Sequence, residues 1–67
     1  MKKSIKFAEN LKSLRLAKGY TQKALADMLG VDQRTISAWE NGVAEPNFSI
    51  LLSLCEIFQE TLDGLLF

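Results

Sequence analysis

A chain of 67 residues, 48% of them apolar, makes one domain near the lower limit for a core without staples. One cysteine and no histidine exclude an intrachain disulfide and leave no His-Cys set for a metal; no metal site and no cofactor are expected. Eight basic and eight acidic residues cancel, which taken alone argues against a polyanionic partner. Their distribution argues the other way. All eight bases lie in residues 1–34 against three acids, a net +5, whereas residues 35–67 hold five acids and no base, a net −5. Such asymmetry suggests a molecule with one face for a polyanion, the plainer alternative being that the lysines only solubilise.

Residues 1–4 read as a disordered basic arm. Met1-Lys2-Lys3 looks like the start of a secretory leader, but no apolar stretch follows. The longest purely apolar runs, such as Ile50–Leu52, are far too short to cross a bilayer, so a cytoplasmic, reducing setting is expected. From about Ile5 to Lys18, Phe7, Leu11 and Leu14 recur at helical spacing with Ala8 beside them, predicting an amphipathic first helix. Leu16 falls off that stripe, Gly19 caps the helix and Tyr20 turns the chain.

Thr21 is placed as the N-cap of a second helix from Gln22, whose apolar side is Ala24, Leu25, Met28 and Leu29. Gly30 stops it, Val31 tucks under the turn, and Asp32 caps a third helix from Gln33 with Ile36 and Trp39 facing inward. Asn41-Gly42 ends that helix. So short a connection forces a steep crossing, the helix-turn-helix arrangement, and Ala26 is small enough to allow a close approach. Residues 41–47 are a loop, Asn47 caps a fourth helix to about Gln59, and Thr61 caps a short fifth, Leu62 to Leu66. Leu51, Leu54, Cys55 and Phe58 form the stripe of the fourth, with Phe48 packing at its start and Leu62 and Leu65 closing the core. Cys55 reads as a small buried hydrophobe. The fold class is therefore all-α, a five-helix single domain over residues 5–67.

The last third is unusually apolar. Ile50 and Ile57 lie off the core stripe and Leu66 and Phe67 sit at the end, so these four predict a homodimer contact. A monomer that covers them with neighbouring side chains is the alternative.

The pattern Leu11, Leu14-Arg15, Gly19-Tyr20-Thr21-Gln22, Leu25-Ala26, Leu29-Gly30-Val31, Ile36-Ser37, Trp39-Glu40-Asn41-Gly42 and Pro46 resembles the phage-repressor (Cro-like, XRE-type) helix-turn-helix family. The resemblance runs from about Ile5 to Leu66 and implies a lambda-repressor-like DNA-binding domain whose third helix enters the major groove. Carried over by position, Gln33, Arg34, Ser37 and Ala38 would face bases, with Thr35 near the groove wall. Gln suits adenine, Arg suits guanine, and an Ala methyl suits thymine. Phosphates would meet the start of the second helix, where free N–H groups stand with Thr21 and Gln22, and also Asn41, while Lys23 adds non-specific attraction. Arg15 and Glu40 match a structural ion pair of the family. The sequence departs from the pattern at Ala38, where long polar side chains are common, and at Val43–Glu45, where Lys or Arg often stand.

These features predict a sequence-specific regulator of transcription, a repressor, acting as a homodimer on a near-palindromic double-stranded DNA operator. The alternative is a protein-interaction module of the same fold, antitoxin-like or an adaptor, favoured by the zero net charge and the acidic Val43–Glu45 loop. No enzyme is expected, because no His, metal-ligand cluster or phosphate-cradling loop could form a catalytic site. A complete small protein and a domain of a longer repressor both fit, and the apolar Leu65-Leu66-Phe67 end favours the former.

Overall fold

Side-chain oxygens start four of the five helices in the computed structural model, which describes residues 5–67. The arm expected at residues 1–4 lies outside the described residues. The helices are α1 (Phe7–Ala17), α2 (Gln22–Leu29), α3 (Gln33–Glu40), α4 (Phe48–Phe58) and α5 (Leu62–Leu66). Thr21 Oγ1 accepts from the Ala24 N–H at 3.0 Å, Asp32 Oδ1 from Arg34 at 2.8 Å, Asn47 Oδ1 from Ile50 at 2.9 Å and Thr61 Oγ1 from Gly64 at 3.0 Å. Each bond satisfies a donor that the first turn of a helix otherwise leaves unpaired. These are the four caps that the sequence predicts.

The first helix differs. It starts at Phe7 rather than Ile5 and has no side-chain cap. Its start instead closes the end of the chain: the Lys6 N–H donates to the Leu66 carbonyl at 2.6 Å, and Asn10 Nδ2 donates to the Leu65 carbonyl at 3.1 Å. The open carbonyl end of α5 is thereby paired by residues far away in sequence.

Phe7, Leu11, Leu25, Ala26, Ile36, Trp39, Leu54, Phe58 and Leu65 form one buried core, so every helix contributes to it. The α3 helix packs on both α2 and α1, and α5 bridges α1 and α4. Tyr20 and Phe58 rings meet at 6.4 Å, joining the α1–α2 connection to α4. Between α2 and α3, Gly30 takes a left-handed φ of 72°, and the Val31 N–H turns back to the Ala26 carbonyl at 3.0 Å. A residue without Cβ makes this tight turn at no steric cost.

Three expectations about packing are corrected. Phe48 does not pack at the start of α4 but is 62% exposed, Met28 faces outward, and Leu62 is half-buried outside the core. In α2 the buried line runs through Leu25, Ala26 and Leu29, and Met28 falls on its outer side. In α4, helical spacing sets Ile50 and Ile57 on one flank of the stripe and Phe48 and Leu52 on the other. Neighbouring elements reach only the first flank, so Ile50, Ile57 and Leu66 are half-buried against the core. Cys55 is half-buried, and burial, with Glu60 nearby, pushes its thiol pKa up.

Gln59, after α4, is the one non-glycine residue with positive φ among the described residues, at 52°. The Cβ crowding in that conformation costs an L-residue about 1–2 kcal/mol. Gln59→Gly is expected to raise stability by about 1 kcal/mol, a Tm gain of roughly 4–8 °C for a domain of this size. Thermal melts of the two proteins check it.

Candidate nucleic-acid interface

The α3 helix has eight residues and two unlike sides. Ile36 and Trp39 are buried, while Gln33 and Arg34 are exposed and Ser37 and Ala38 are half-exposed. A repeat of 3.6 residues sets Gln33, Arg34, Ser37, Ala38 and Asn41 on one outward strip. The four expected base-facing residues thus share one side. Thr35 is half-buried, turned from the strip toward its flank, and its N–H bonds the Asp32 carbonyl at 2.9 Å.

The Arg34 side chain, 92% exposed, touches the helix cap: its Nε lies 3.3 Å from the Asp32 oxygen that already accepts the Arg34 backbone N–H. That backbone bond chiefly, with the side-chain bond and nearby positive charge adding, holds the Asp32 carboxyl below its ordinary pKa. At the other end of α3, the Asn41 amide donates to Ser37 Oγ at 3.3 Å, along the strip. Val43 and Ala44 N–H groups both turn back to the Ala38 carbonyl, at 2.9 and 3.3 Å, so the exposed Val43–Glu45 loop folds over the end of α3.

Arg15 and Glu40 form the expected ion pair, joining α1 to the last residue of α3. It is bidentate: Arg15 Nε to Glu40 Oε2 at 2.6 Å and Nη2 to Oε1 at 3.1 Å, with side chains only 9% and 3% exposed. The third guanidinium nitrogen donates to the Tyr20 carbonyl at 2.9 Å. Gln22 Nε2 adds a 3.1 Å bond to Glu40 Oε1. Burial raises the Glu40 pKa, but the Arg15 and Gln22 hydrogen bonds and the attraction of Arg15 and Lys12 outweigh it, leaving Glu40 below its ordinary value. The Glu40 hydrogen bond raises that of Arg15.

This network modifies one expectation and adds one residue. Gln22 stands at the start of α2 as expected, but one of its two amide N–H groups is already given to Glu40, which leaves one to donate elsewhere. Lys12, unassigned by the sequence, lies near enough to act on Glu40 and so belongs on this side of the molecule. Thr21 is exposed, its hydroxyl oxygen used in the cap, and Lys23 pairs loosely with Asp27 at 3.4 Å on the open surface. Neither the Gln22–Glu40 bond nor the Asp32–Arg34 contact has a long-range sequence signal. The second is a short-range one, a cap followed two residues later by an arginine.

Two short helices crossing at a left-handed glycine, the second showing a polar strip outward, define a helix-turn-helix domain of the repressor type. The chain belongs to the XRE-type helix-turn-helix family of transcriptional regulators: residues 11–65 match the family's helix-turn-helix model. It is 40% identical over 62 residues to the HTH-type transcriptional activator BcrR of Enterococcus faecalis, covering 92% of this chain and 30% of BcrR. Against two Bacillus subtilis regulators of equal identity it spans 52% and 56% of their length. The P22 c2 repressor, solved in complex with a synthetic operator, superposes with a TM-score of 0.83 at 37% identity, over 90% of this chain and 91% of that one. Hydroxypropylphosphonic acid epoxidase from S. wedmorenis matches with a TM-score of 0.82 at 33% identity, over 90% of this chain and 32% of that one.

Removing one member of a buried pair strands the other charge, at a cost of about 3–5 kcal/mol. Arg15→Met and Glu40→Leu are each expected to destabilise by that amount, a large share of what so small a domain has, and the double variant by much less. Additive losses in urea unfolding of the three variants would count against this. Because the folded Glu40 pKa lies below its unfolded value, its contribution is fully present above the ordinary glutamate range and fades as pH falls through the lower, folded value. Glu40→Gln is expected to lose less stability than wild type over that acidic window, read from urea midpoints against pH.

Proposed function

We propose that this protein is a sequence-specific, double-stranded-DNA-binding regulator of transcription, a repressor, that reads the major groove with α3. The outward strip of Gln33, Arg34, Ser37 and Ala38 on a helix pinned at both ends carries this reading. In it, Gln33 pairs with adenine, Arg34 with guanine, and the Ala38 methyl meets a thymine methyl. Thr21, the remaining Gln22 N–H, Lys23 and Asn41 contact phosphates, with Thr35 at the groove wall, and position the helix without reading sequence. Repression needs no further surface, since a bound protein occludes its operator. Catalysis forms no part of the proposal. Among the described residues no helix is long and apolar enough to cross a membrane, in keeping with a cytoplasmic regulator.

The fold alone does not carry this function, because it also makes up about a third of an epoxidase. A second reading, a protein-interaction module with weak DNA affinity, is favoured by the zero net charge and by the exposed Val43–Glu45 loop, which offers a carboxylate in place of cations. Salt dependence separates the two. A DNA regulator binds a random duplex with affinity that falls steeply as salt rises, whereas a flat response fits the interaction module. Selection of duplexes from a random pool is expected to yield a preferred site, and Arg34→Ala to lose preference at one base pair by roughly 1–3 kcal/mol.

We further infer a homodimer, which sets two α3 helices in successive major grooves about 34 Å apart on a near-palindromic site. Of the four residues expected at the contact, Ile50, Ile57 and Leu66 are partly used by the core, and Phe67 is 41% exposed. The open flank of α4, with Phe48 62% and Leu52 46% exposed, takes their place at the centre of the contact. Leu52→Lys is expected to shift sedimentation toward monomer while leaving the melting temperature within a few degrees. Unchanged sedimentation would exclude this flank.

A further inference from the structure

We propose that Asp32 is a specificity-determining positioning residue, its carboxylate holding the Arg34 guanidinium by Nε so that the far edge meets a base. This deepens the DNA-binding reading and rests on it. One oxygen, Asp32 Oδ1, accepts two bonds from the same residue, the Arg34 backbone N–H at 2.8 Å and its Nε–H at 3.3 Å. A planar guanidinium gripped at Nε keeps its end-on edge, one N–H from each terminal nitrogen, pointing past the grip. No hydrogen bond engages those two nitrogens among the described residues. Their spacing is the one that matches guanine O6 and N7.

Among the described residues no other hydrogen bond or ion pair holds this side chain, which is 92% exposed. An exposed pair of this kind adds little to folding stability. In a groove that excludes water the same pair strengthens, because the effective dielectric falls. Asp32 thus reduces the number of orientations that Arg34 must give up on binding.

The carboxylate also acts on its surroundings. Near DNA it repels phosphate oxygens and the acceptor atoms of guanine and thymine, while its second oxygen can accept from cytosine N4. A cap chosen only to start a helix has no need of this charge, since Ser or Asn serves equally well. Asp32 therefore lowers affinity for DNA in general and raises the preference for a G·C pair opposite Arg34.

The test compares wild type, Asp32→Ser and Arg34→Ala by fluorescence anisotropy on the selected duplex, on duplexes altered at the Arg34-dependent pair, and on a random duplex. Asp32→Ser keeps the N-cap and is expected to melt with wild type. It should bind the random duplex several-fold more tightly, yet discriminate at the Arg34 pair roughly tenfold less. If Asp32→Ser melts early, Asp32→Asn, which keeps cap and shape without the charge, is read by the same two measurements. Wild-type discrimination in the variant overturns the proposal, as does an equal loss of specific and random binding, which would mark Asp32 as a cap alone. A wild type that binds no duplex at all overturns the DNA reading, and this proposal with it.

Discussion

The Arg15–Glu40 pair is the constraint on which the orientation of α3 depends. Glu40 is the last residue of that helix, and its carboxylate is held by two guanidinium N–H groups from α1 and one amide from the start of α2. Arg15 meanwhile grips the Tyr20 carbonyl in the connection between α1 and α2. Three helices and one turn therefore converge on two charges. A buried charge pair is a poor source of net stability, because desolvation offsets much of the attraction. Its value is directional: a bidentate guanidinium–carboxylate contact fixes distance and plane, which apolar packing alone does not. Sliding α3 along its axis, or rotating it, would break those bonds inside the protein.

The same pair alters how the charge distribution is understood. Arg15 counts among the eight bases that make the first half positive, yet it is buried and neutralised. Asp32 partly offsets Arg34, and Asp27 partly offsets Lys23. Less positive charge is left on the surface for a polyanion than the count of lysines and arginines suggests. Much of the attraction for phosphates would then fall to directed N–H groups at the start of α2 and to Gln22 and Asn41 rather than to net charge. A neutral protein of this fold is thus compatible with DNA binding, provided that its contacts are well aimed.

Capping joins the two ends of this logic. Asp32 begins α3 and touches the side chain most suited to reading a base; Glu40 ends α3 and touches a side chain suited to a phosphate. Both carboxylates serve structure first. Each also restrains a long polar side chain that would otherwise sample many rotamers. Ordering before binding reduces the entropy lost on binding.

Local chemistry in the sequence determined the elements. Thr21, Asp32, Asn47 and Thr61 announce four helix starts, Gly30 announces the turn, and the 3.6-residue repeat puts Ile36 and Trp39 inward and Gln33 and Arg34 outward, because each of these depends on a few neighbouring residues. Family pattern supplied the Arg15–Glu40 pairing across 25 positions, which periodicity could not. What the sequence did not yield was which flank of an apolar helix its neighbours would cover: its pattern pointed to Phe48 packing inward and Ile50 and Ile57 standing off the core. In α4 both flanks carry large apolar residues, and only the tertiary packing decided that Ile50 and Ile57 turn to the core while Phe48 and Leu52 face out. The Asn10 and Lys6 bonds that close α5, and the Gln22 bond to Glu40, were likewise invisible, since a hydrogen bond between distant residues requires that the helices first be placed.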